Sequence, residues 1–350
     1  MTRICQINLA KNYRGGERQT DLLLRELAIR GWQQRLIGRR GSELVKRCAD
    51  IEGLELVEAS SFLAAGRATA GCDLTHAHEA QGVYASLYGS WFNKIPFVIT
   101  RRVVRRQKKS WFRDRAYRAA GAVAAVSKAV EIHVRETYAD LRPIVVPDAH
   151  SDFPVDAEFA KVLRDKHAGK VLVLHIGAYE HSHKGQFTII EAAKRASTEH
   201  PGWHFLLLGD GSDKMAFEKE IGSLSNIELT GFVDNVGDYL AACDVFIFPS
   251  LHEALGSSLL DAMQFGLPIV ATRVGGIPEF VEDGINGTLI DPEAPDQLLD
   301  GIAKYAVDSP ELSAIHLANR SKAKQFSAAH MADTYDEIYK RIIPRRTPSP

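Results

Sequence analysis

Two acidic residues, Glu253 and Asp261, lie on either side of the start of a predicted helix. Gly256 opens this helix, so the unpaired backbone N–H groups at its first turn and the positive end of its dipole are available to an anion. Ser257 and Ser258 follow directly, and a serine there either caps the helix or contacts the same anion. This arrangement predicts an anion-binding site with a carboxylate on each side.

A second loop carries cationic and imidazole side chains. It follows a glycine, Gly177, at the end of a predicted strand and contains His181, His183 and the pair Lys184-Gly185. A lysine before a glycine at a helix start is a suitable counter-charge for phosphate, and the alternative for Lys184 is an ordinary surface lysine. No carboxylate pair accompanies the two histidines, so we interpret them as surface residues and expect no metal ion.

Both candidate loops follow strands in an alternating strand–helix pattern, which favours parallel sheets covered by helices on both faces. In the first half, the pattern predicts strands at 3–9, 34–37, 73–78, 96–100, 122–126 and 143–147, and helices at 17–30 and 79–92. In the second half, it predicts strands at 170–177, 203–209, 227–231, 244–249, 268–271 and 287–290, and helices at 185–197 and 257–265.

The predicted fold class is therefore α/β, with two doubly wound, Rossmann-like parallel-sheet domains facing a cleft. The first domain spans 1–150, a linker 151–169 and the second domain 170–328. Ligands of such domains bind beyond the carboxyl ends of the strands, where both candidate loops lie. We expect a disordered tail at 344–350.

Composition excludes several classes of protein. The chain has 350 residues, of which 45% are hydrophobic and 25% charged, as in an ordinary globular protein. Its four cysteines are widely spaced, which argues against a disulfide scaffold or a thiolate zinc site. No signal peptide or membrane span is visible. We therefore expect a cytoplasmic protein, with peripheral attachment to the inner face of the cytoplasmic membrane as a further expectation.

The net charge of −1 conceals an asymmetry, because residues 1–150 carry +10 and residues 151–350 carry −11. A basic cluster with interleaved aromatic residues contributes most of the positive charge. We interpret it as a surface for anionic lipid or for a phosphorylated, lipid-linked acceptor, the alternatives being a solvated basic face and nucleic acid, which we do not favour. Its candidate contact residues are Arg101, Arg102, Arg105, Arg106, Lys108 and Lys109.

His76 and His78 alternate along a predicted strand of the first domain, so their side chains share one face. A histidine at the end of such a strand is a candidate for contact with reacting groups. The alternative is a core histidine with satisfied hydrogen bonds, which is the favoured reading for His76 and equally acceptable for His78.

The second half resembles the donor-binding domain of retaining glycosyltransferases with the GT-B fold, family 4, the glycosyl transferases group 1. That family has two glutamates separated by seven residues, and this chain has Glu253-Ala-Leu-Gly-Ser-Ser-Leu-Leu-Asp261. Further matching motifs are Gly266–Glu279, Glu282–Gly287, Leu208–Gly211, Thr230–Val233, Lys184-Gly185 and, near the start of the chain, Gly15-Gly16-Glu17. The match is strong over 170–292 and weak over 30–165.

The resemblance implies roles for these residues. Glu253 would hydrogen-bond the donor sugar, and the backbone amides of Leu255, Gly256, Ser257 and Ser258 would bind the diphosphate of the nucleotide. Asp261 would reach the ribose, Lys184 would neutralise charge on the departing nucleoside diphosphate, and His183 would supplement it. Gly209 and Val233 would border the nucleotide, while Gly16 and His78 would approach the diphosphate and the reacting centre from the first domain.

The implied reaction moves a sugar from a UDP- or GDP-type donor to a glycan or lipid-linked acceptor, as in lipopolysaccharide or envelope polysaccharide synthesis. It needs no cofactor besides the nucleotide sugar and no metal, and it follows a front-face retaining mechanism. A C-terminal helix at about 330–342 would pack on the first domain. A sugar-nucleotide epimerase of the same fold, or a catalytically weak nucleotide-sugar-binding subunit, is the alternative.

Four features depart from the family pattern. Between the domains, Pro147-Asp-Ala-His-Ser-Asp152 replaces the Pro-Asn-Gly-x-Asp run that members usually have. Ala178 stands where members commonly have an arginine facing the diphosphate, and Asp261 replaces the usual glutamate. The histidine that members carry after a later strand of the first domain corresponds here to Arg101 or Arg102. Lys184 is therefore expected to provide most of the positive charge at the diphosphate.

Overall fold

The computed structural model describes residues 2–104, 110–307 and 310–343, and the chain divides into two compact units. The first unit consists of 1–151 and 327–350, and the second of 152–326. Each unit contains one sheet in which the described strand pairs are parallel. The structure thus has the two Rossmann-like α/β sheets that the alternation of strands and helices predicts.

The first unit has a seven-stranded sheet in the order β3-β2-β1-β4-β5-β6-β7. Its strands are β1 Arg3–Asn8, β2 Gln33–Arg39, β3 Leu54–Ala59, β4 Leu74–Ala77, β5 Phe97–Arg101, β6 Ala122–Ala125 and β7 Ile144–Val145. Strand β1 lies between β2 and β4, with Ile4 opposite Gln34 on one side and Leu74 on the other.

The helices of the first unit cover this sheet. They are α1 Gly15–Ile29, α2 Glu43–Arg47, α3 Phe62–Arg67, α4 Ala80–Asn93, α5 Trp111–Ala119 and α6 Lys128–Thr137, with a short 3₁₀ helix at Cys48–Asp50. Helix α4 begins at an N-cap residue, Glu79, whose carboxylate accepts hydrogen bonds from the N–H groups of Gln81 and Gly82.

The second unit has a six-stranded sheet in the order β10-β9-β8-β11-β12-β13. Its strands are β8 Val171–Ile176, β9 Trp203–Leu208, β10 Ile227–Gly231, β11 Val245–Phe248, β12 Ile269–Thr272 and β13 Gly287–Ile290. Strands β8, β11 and β12 are buried along nearly their whole length, which explains their continuous apolar sequences.

Nine helices accompany this sheet within the described part of the second unit. They are α7 Ala157–Lys166, α8 His181–Lys184, α9 Gln186–Glu199, α10 Lys214–Ile221, α11 Val236–Ala242, α12 Ser257–Phe265, α13 Ile277–Phe280, α14 Pro295–Ala303 and α15 Pro310–Ala323, followed by a 3₁₀ helix at Lys324–Phe326. Helix α12 has the bounds that the sequence predicts.

The segment 151–169, expected to be a linker, contains helix α7 and belongs largely to the second unit. Asp156 begins the helix, because its carboxylate accepts hydrogen bonds from the N–H groups of Glu158 and Phe159. The ring of Phe159 then packs against Tyr239 of α11, with centroids 5.9 Å apart. Packing on α11 therefore makes most of this segment part of the domain.

A last helix, α16 Ala328–Ile342, returns to the first unit. Met331, Tyr335 and Tyr339 are buried and share one apolar cluster with Ile4 and Leu23 of the sheet and α1. Burial of this face stabilises the attachment of α16 to the first unit. The expected tail at 344–350 lies outside the described residues.

Within the three described ranges, none of the helices has both the length and the hydropathy to cross a bilayer.

Candidate functional site

The candidate loops of the second unit meet at the carboxyl ends of its parallel strands. The loop after β8 is bonded to the loop after β11, since the N–H groups of Leu251 and His252 both donate to the carbonyl of His183, at 2.8 and 3.2 Å. It is also bonded to β9, because Gly177 donates its N–H to the carbonyl of Leu208. Two regions almost 70 residues apart in sequence therefore form one site.

Lys184 and Glu253 form an ion pair at the centre of this site. The ammonium of Lys184 donates to Oε2 of Glu253 at 2.5 Å, and the two side chains are 22% and 14% exposed. The same ammonium lies 4.9 Å from the centroid of the Phe248 ring, a cation–π contact. Two of the three residues that the sequence predicts to be catalytic, Lys184 and Glu253, thus lie in direct contact at a partly solvent-accessible position, and the third, His78, belongs to the first unit.

The carboxylate of Glu253 is held by both oxygens. Oε2 accepts from Lys184, while Oε1 accepts the N–H of Ala254 at 3.1 Å. A carboxylate can accept further hydrogen bonds on its remaining lone pairs. Glu253 is therefore oriented in advance and still able to bind hydroxyl groups.

Two glycines allow the loops to approach so closely. Gly275 has φ of 53°, and a Cβ atom on it would lie 1.7 Å from the carbonyl oxygen of Glu253. Gly185, directly after Lys184, has φ of 68°, and its Cβ would lie 2.0 Å from the carbonyl oxygen of Pro249. A side chain at either position would displace the loop that carries Glu253 or Lys184.

Helix α12 begins next to this ion pair. Its N-cap is Gly256, and the Phe248 ring that Lys184 covers also packs against Gly256. Of the two alternatives for Ser257 and Ser258, capping is not seen, because in this part of the described chain no side chain makes the capping hydrogen bond, and contact with an anion stays a prediction. Ser258 instead directs its hydroxyl to the carbonyl of Ile176, 3.4 Å away at the end of β8. The N–H of Leu259 donates to the carbonyl of Gly256 at 2.8 Å, so the N–H groups of Ser257 and Ser258 are the ones left to a ligand or solvent.

The other residues of α12 and of the loop before it that are predicted to bind the nucleotide are both buried. Asp261 lies one turn beyond Ser257 and Ser258, on the same side of the helix, and is only 5% exposed. Leu255 is buried, so it could offer a ligand only its backbone. The predicted contacts of these residues with a nucleotide stay predictions.

Gly209 and Val233 follow β9 and β10, respectively, at the same edge of the sheet. The N–H of Gly209 donates to the carbonyl of Gly231, which connects the two loops. Tyr179, which the sequence analysis did not single out, fixes both strand ends. Its buried hydroxyl donates to the carbonyl of Leu207 at 2.7 Å and accepts the N–H of Gly231 at 3.4 Å.

His175 is a second residue that sequence reasoning missed. It lies within β8 beneath the loop, and its Nδ1 bonds the carbonyl of Ile247, which places the proton on Nδ1. Burial, with a smaller effect from Lys184, lowers its pKa to about 4, so the ring is neutral. No described group is within hydrogen-bond distance of the buried Nε2, which faces Gly177 at the floor of the site.

The two histidines of the α8 region do not act as a pair. Nδ1 of His181 accepts the N–H of Phe187 at 3.2 Å, and its ring packs on that phenylalanine. His183 is exposed, with its Nδ1 3.1 Å from the hydroxyl of Ser182. His183 is therefore close to the site and free of the core, as its predicted donor-binding role requires.

In the first unit, His78 belongs to a buried polar network. Its Nε2 bonds Oε1 of Gln6 at 2.8 Å, and its Nδ1 faces a guanidinium nitrogen of Arg102 at 3.4 Å. His76 bonds the hydroxyls of Tyr339 and Thr100, both at 2.6 Å. Burial lowers the pKa of both histidines well below the usual range, so both rings are neutral at pH 7.

His76 is thus a satisfied core histidine, as favoured from the sequence. The catalytic role of His78 stays a prediction. Gly16 lies in the first turn of α1, where a Cβ would meet Cδ of Arg102 at 3.7 Å.

The structure corrects the predicted basic surface. Arg101 is only 8% exposed and bonds to Tyr117, while Arg102 pairs with the carboxylate of Asp148 at 3.0 Å. Both arginines therefore stabilise the interior of the first unit and do not belong to an exposed face. The four other candidate contact residues, Arg105, Arg106, Lys108 and Lys109, lie outside the described residues.

Comparison with known proteins gives a consistent result. The family model described as glycosyl transferases group 1 matches residues 170–308, which include every donor-site residue of the second unit discussed above. Among curated proteins, a lipopolysaccharide core biosynthesis glycosyltransferase of Rhizobium meliloti is 29% identical over 201 residues, 56% of this chain and 54% of that protein.

A 2-deoxystreptamine N-acetyl-D-glucosaminyltransferase of Niallia circulans is 30% identical over 176 residues, 49% of this chain and 45% of that protein. The chain thus spans about half the length of these curated relatives. Among solved structures, Anabaena Alr3699/HepE in complex with UDP and glucose superposes with a TM-score of 0.85 at 19% identity, over 97% of this chain and 100% of that one. That likeness shows that the two chains share the GT-B fold.

Proposed function

We propose that the protein is a retaining glycosyltransferase, because residues 170–308 of its second unit match the family model of the glycosyl transferases group 1. It moves a sugar from a nucleoside diphosphate sugar to a glycan or a lipid-linked acceptor. The observation that carries this proposal is the Lys184–Glu253 ion pair beside the start of α12. It places a cation, a carboxylate and unpaired N–H groups where a sugar diphosphate needs all three.

Recognition of the diphosphate rests on a small number of placed groups. The backbone N–H groups at the start of α12 and the helix dipole bind the phosphate oxygens. Lys184 has three N–H bonds, of which Glu253 occupies one, so its ammonium can also bind a phosphate oxygen. The second half of the chain is acidic overall, with a net charge of −11, so these local donors must supply the attraction.

Glu253 recognises the sugar. Its oxygens already accept from Lys184 and Ala254, and their remaining lone pairs accept from sugar hydroxyls. Binding of the diphosphate to the same lysine places the sugar next to this carboxylate. Asp261 and the loops at Gly209 and Val233 then bind the nucleoside, whose base we propose to be uracil or guanine. The Anabaena structure in complex with UDP and glucose supports uracil.

In the proposed reaction, the bond between the anomeric carbon and the diphosphate oxygen breaks while the acceptor oxygen forms a bond to the same carbon. Attack occurs on the face from which the diphosphate leaves, so the anomeric configuration is retained. The acceptor hydroxyl gives its proton to the departing diphosphate oxygen. Lys184 and the α12 amides stabilise the negative charge that develops on that diphosphate, which is the largest catalytic contribution we expect. No cofactor or metal is needed at this site.

An exposed aromatic patch supports peripheral contact with a membrane that holds a lipid-linked acceptor. The patch consists of Trp91 and Phe92 at the end of α4 and Trp111 and Phe112 at the start of α5. Trp111 and Phe112 are 67% and 56% exposed, and the ring of Trp111 lies 6.3 Å from that of Trp91. Contiguous exposed apolar side chains mark interaction surfaces, and tryptophan favours the membrane interface.

Charge at this patch favours an anionic bilayer. Lys94, Arg115 and Arg118 are exposed on α4 and α5 or directly after them. In the sequence, the basic run 105–109 directly precedes α5. Basic residues near an anionic surface contribute about 1 kcal/mol each. We therefore propose that the aromatic patch, and not Arg101 or Arg102, makes the membrane contact.

The membrane contact predicts that the double variant Trp111→Ser/Phe112→Ser loses at least about tenfold in binding to vesicles containing phosphatidylglycerol, because both rings leave the bilayer. Cosedimentation with vesicles measures this. Phe232→Ser is the matched control, since Phe232 is 60% exposed but lies in the second unit. Equal binding by the double variant and the wild type, or no binding by the wild type, would contradict the membrane contact.

The proposed activity is tested by incubating the chain with a panel of nucleoside diphosphate sugars and following the release of the nucleoside diphosphate by NMR. Release of the nucleoside diphosphate distinguishes a transferase from a protein that binds the donor without catalysis. A sugar that is epimerised but still attached to the diphosphate would instead indicate an epimerase.

A further inference from the structure

Three potential metal ligands lie together at the amino ends of the strands of the second unit, on the edge of the sheet opposite the Lys184–Glu253 pair. His204 is the second residue of β9, Glu228 is the second residue of β10, and His167 directly follows α7. Strands β9 and β10 are neighbours in the sheet, so the end of α7 completes a group that the sheet begins.

The three side chains are close enough to share one ion. One ligand atom from each lies within 4.8 Å of the other two. The imidazole rings of His167 and His204 have centroids 4.2 Å apart and are inclined by 36°. In a tetrahedral zinc site with bonds of about 2.1 Å, ligand atoms lie about 3.4 Å apart. Small side-chain rotations would therefore bring this set to coordinating distance.

The two histidines are buried without the hydrogen bonds that burial normally requires. Each is only 5% exposed. Among the described residues, no group forms a hydrogen bond with either ring nitrogen of His204 or with Nε2 of His167. Buried polar atoms without partners are rare and costly, so these nitrogens point to a missing group, and an ion that took one nitrogen from each ring would complete two of the three.

The protonation state of the pair suits a metal. Burial, helped by the neighbouring His167, lowers the pKa of His204 to about 4. Burial also lowers the pKa of His167, with a further contribution from Lys166. Both rings are therefore neutral at pH 7 and present lone pairs, as metal ligation requires.

Some charged side chains around the three ligands oppose the binding of a cation, and one supports it. Lys166 donates to Oε2 of Glu228 at 3.1 Å, and an ion would share or displace that contact. The charge of Lys170 also lowers the pKa of both histidines, and that of Arg164 lowers the pKa of His167. The guanidinium of Arg164 is, however, paired with Asp244 at 2.7 Å. Glu228, which is partly exposed, supplies the negative charge and a route from solvent.

We propose that His167, His204 and Glu228 form a binding site for Zn²⁺. Two imidazole nitrogens and one carboxylate oxygen are a common zinc ligand set, with water in the fourth position. The ion ties the end of α7 to strands β9 and β10 and so stabilises the second unit. It is remote from the donor site, since four residues of β9, about 13 Å, separate His204 from the end of that strand. Its role is structural, and the proposed transfer reaction does not depend on it.

The test uses the full chain after removal of metal with a chelator. Titration with Co²⁺ is expected to give the strong visible absorption of four-coordinate cobalt at one equivalent per chain, and Zn²⁺ is expected to displace it and raise Tm. His167→Gln and His204→Gln are each expected to weaken Zn²⁺ binding by at least about 100-fold, since each removes a direct ligand. His200→Gln, a histidine of the same unit stacked on Trp203, should bind as the wild type does.

Glu228→Gln keeps the test decisive if a variant with a buried histidine replaced does not fold, because Glu228 lies nearer the surface and should also lose affinity. The proposal is overturned if cobalt on the wild type shows only the weak absorption of six-coordinate surface binding. It is equally overturned if His167→Gln or Glu228→Gln binds Zn²⁺ as tightly as the wild type.

Discussion

Lys184→Ala is expected to lower kcat for sugar transfer by about 100- to 1000-fold, the usual loss when one donor to a developing negative charge is removed. The ammonium of Lys184 is the cation that lies against Glu253 and Phe248 at the start of α12. Ala178, in the same loop after β8, carries no charge and could not replace the lost ammonium. Steady-state kinetics with a saturating donor measures the effect.

The matched control for this prediction is Lys194→Ala. Lys194 lies on α9 of the same unit and pairs at the surface with Glu191 and Glu220. Exposed ion pairs contribute little to stability, so removal of this lysine should leave the fold and kcat unchanged. A Lys184→Ala variant that folds and turns over at nearly the wild-type rate would remove Lys184 from the mechanism.

Gly275→Ala is expected to destabilise the second unit by about 2–4 kcal/mol and to abolish most of the transfer activity. The added methyl group would lie 1.7 Å from the carbonyl oxygen of Glu253, at a backbone φ of 53°. Because that oxygen belongs to the backbone, the loop carrying Glu253 must move. For a domain of this size the loss corresponds to a decrease in Tm of roughly 5–15 °C, measurable by calorimetry.

The Gly284→Ala variant separates the effect of a steric contact from the effect of backbone strain. Gly284 has φ of 74°, but no atom lies within 4 Å of the position of its missing Cβ. Its alanine variant should therefore lose only about 1–2 kcal/mol of stability, the cost of a left-handed backbone for a residue with a side chain, and it should keep its activity. If the two variants proved equally stable and equally active, the close approach of residue 275 to Glu253 would have no functional role.

The sequence predicts the second unit better than the first because its central strands are buried on both faces and have continuous apolar sequences. Strand β11 illustrates this, since it is fully buried. Helix α12 could be predicted for a different reason, because a glycine lies at each of its ends. Strand β3, by contrast, carries Glu55 and Glu58 at exposed positions on a sheet edge, and its weak apolar pattern does not indicate a strand. The short helices α2 and α3 were missed for the same reason.

The residues of the donor site could be predicted because they belong to one ordered motif, but their partners could not. The Lys184–Glu253 ion pair joins residues 69 positions apart, and the Arg102–Asp148 pair joins residues 46 positions apart. Nothing local in the sequence distinguishes Arg102, whose side chain is only 12% exposed, from the charged residues that follow it. The His167–His204–Glu228 group also exists only once α7, β9 and β10 are brought together.

The most direct measurement of the central claim is the fate of nucleoside diphosphate sugars incubated with the wild-type chain, followed by ³¹P and ¹H NMR. The account predicts that at least one UDP- or GDP-sugar releases its nucleoside diphosphate, slowly to water and faster to a suitable acceptor. The liberated or transferred sugar should first appear with the anomeric configuration of the donor. Epimerised sugar still attached to the diphosphate, binding of every donor without release, or failure to bind any of them would contradict it.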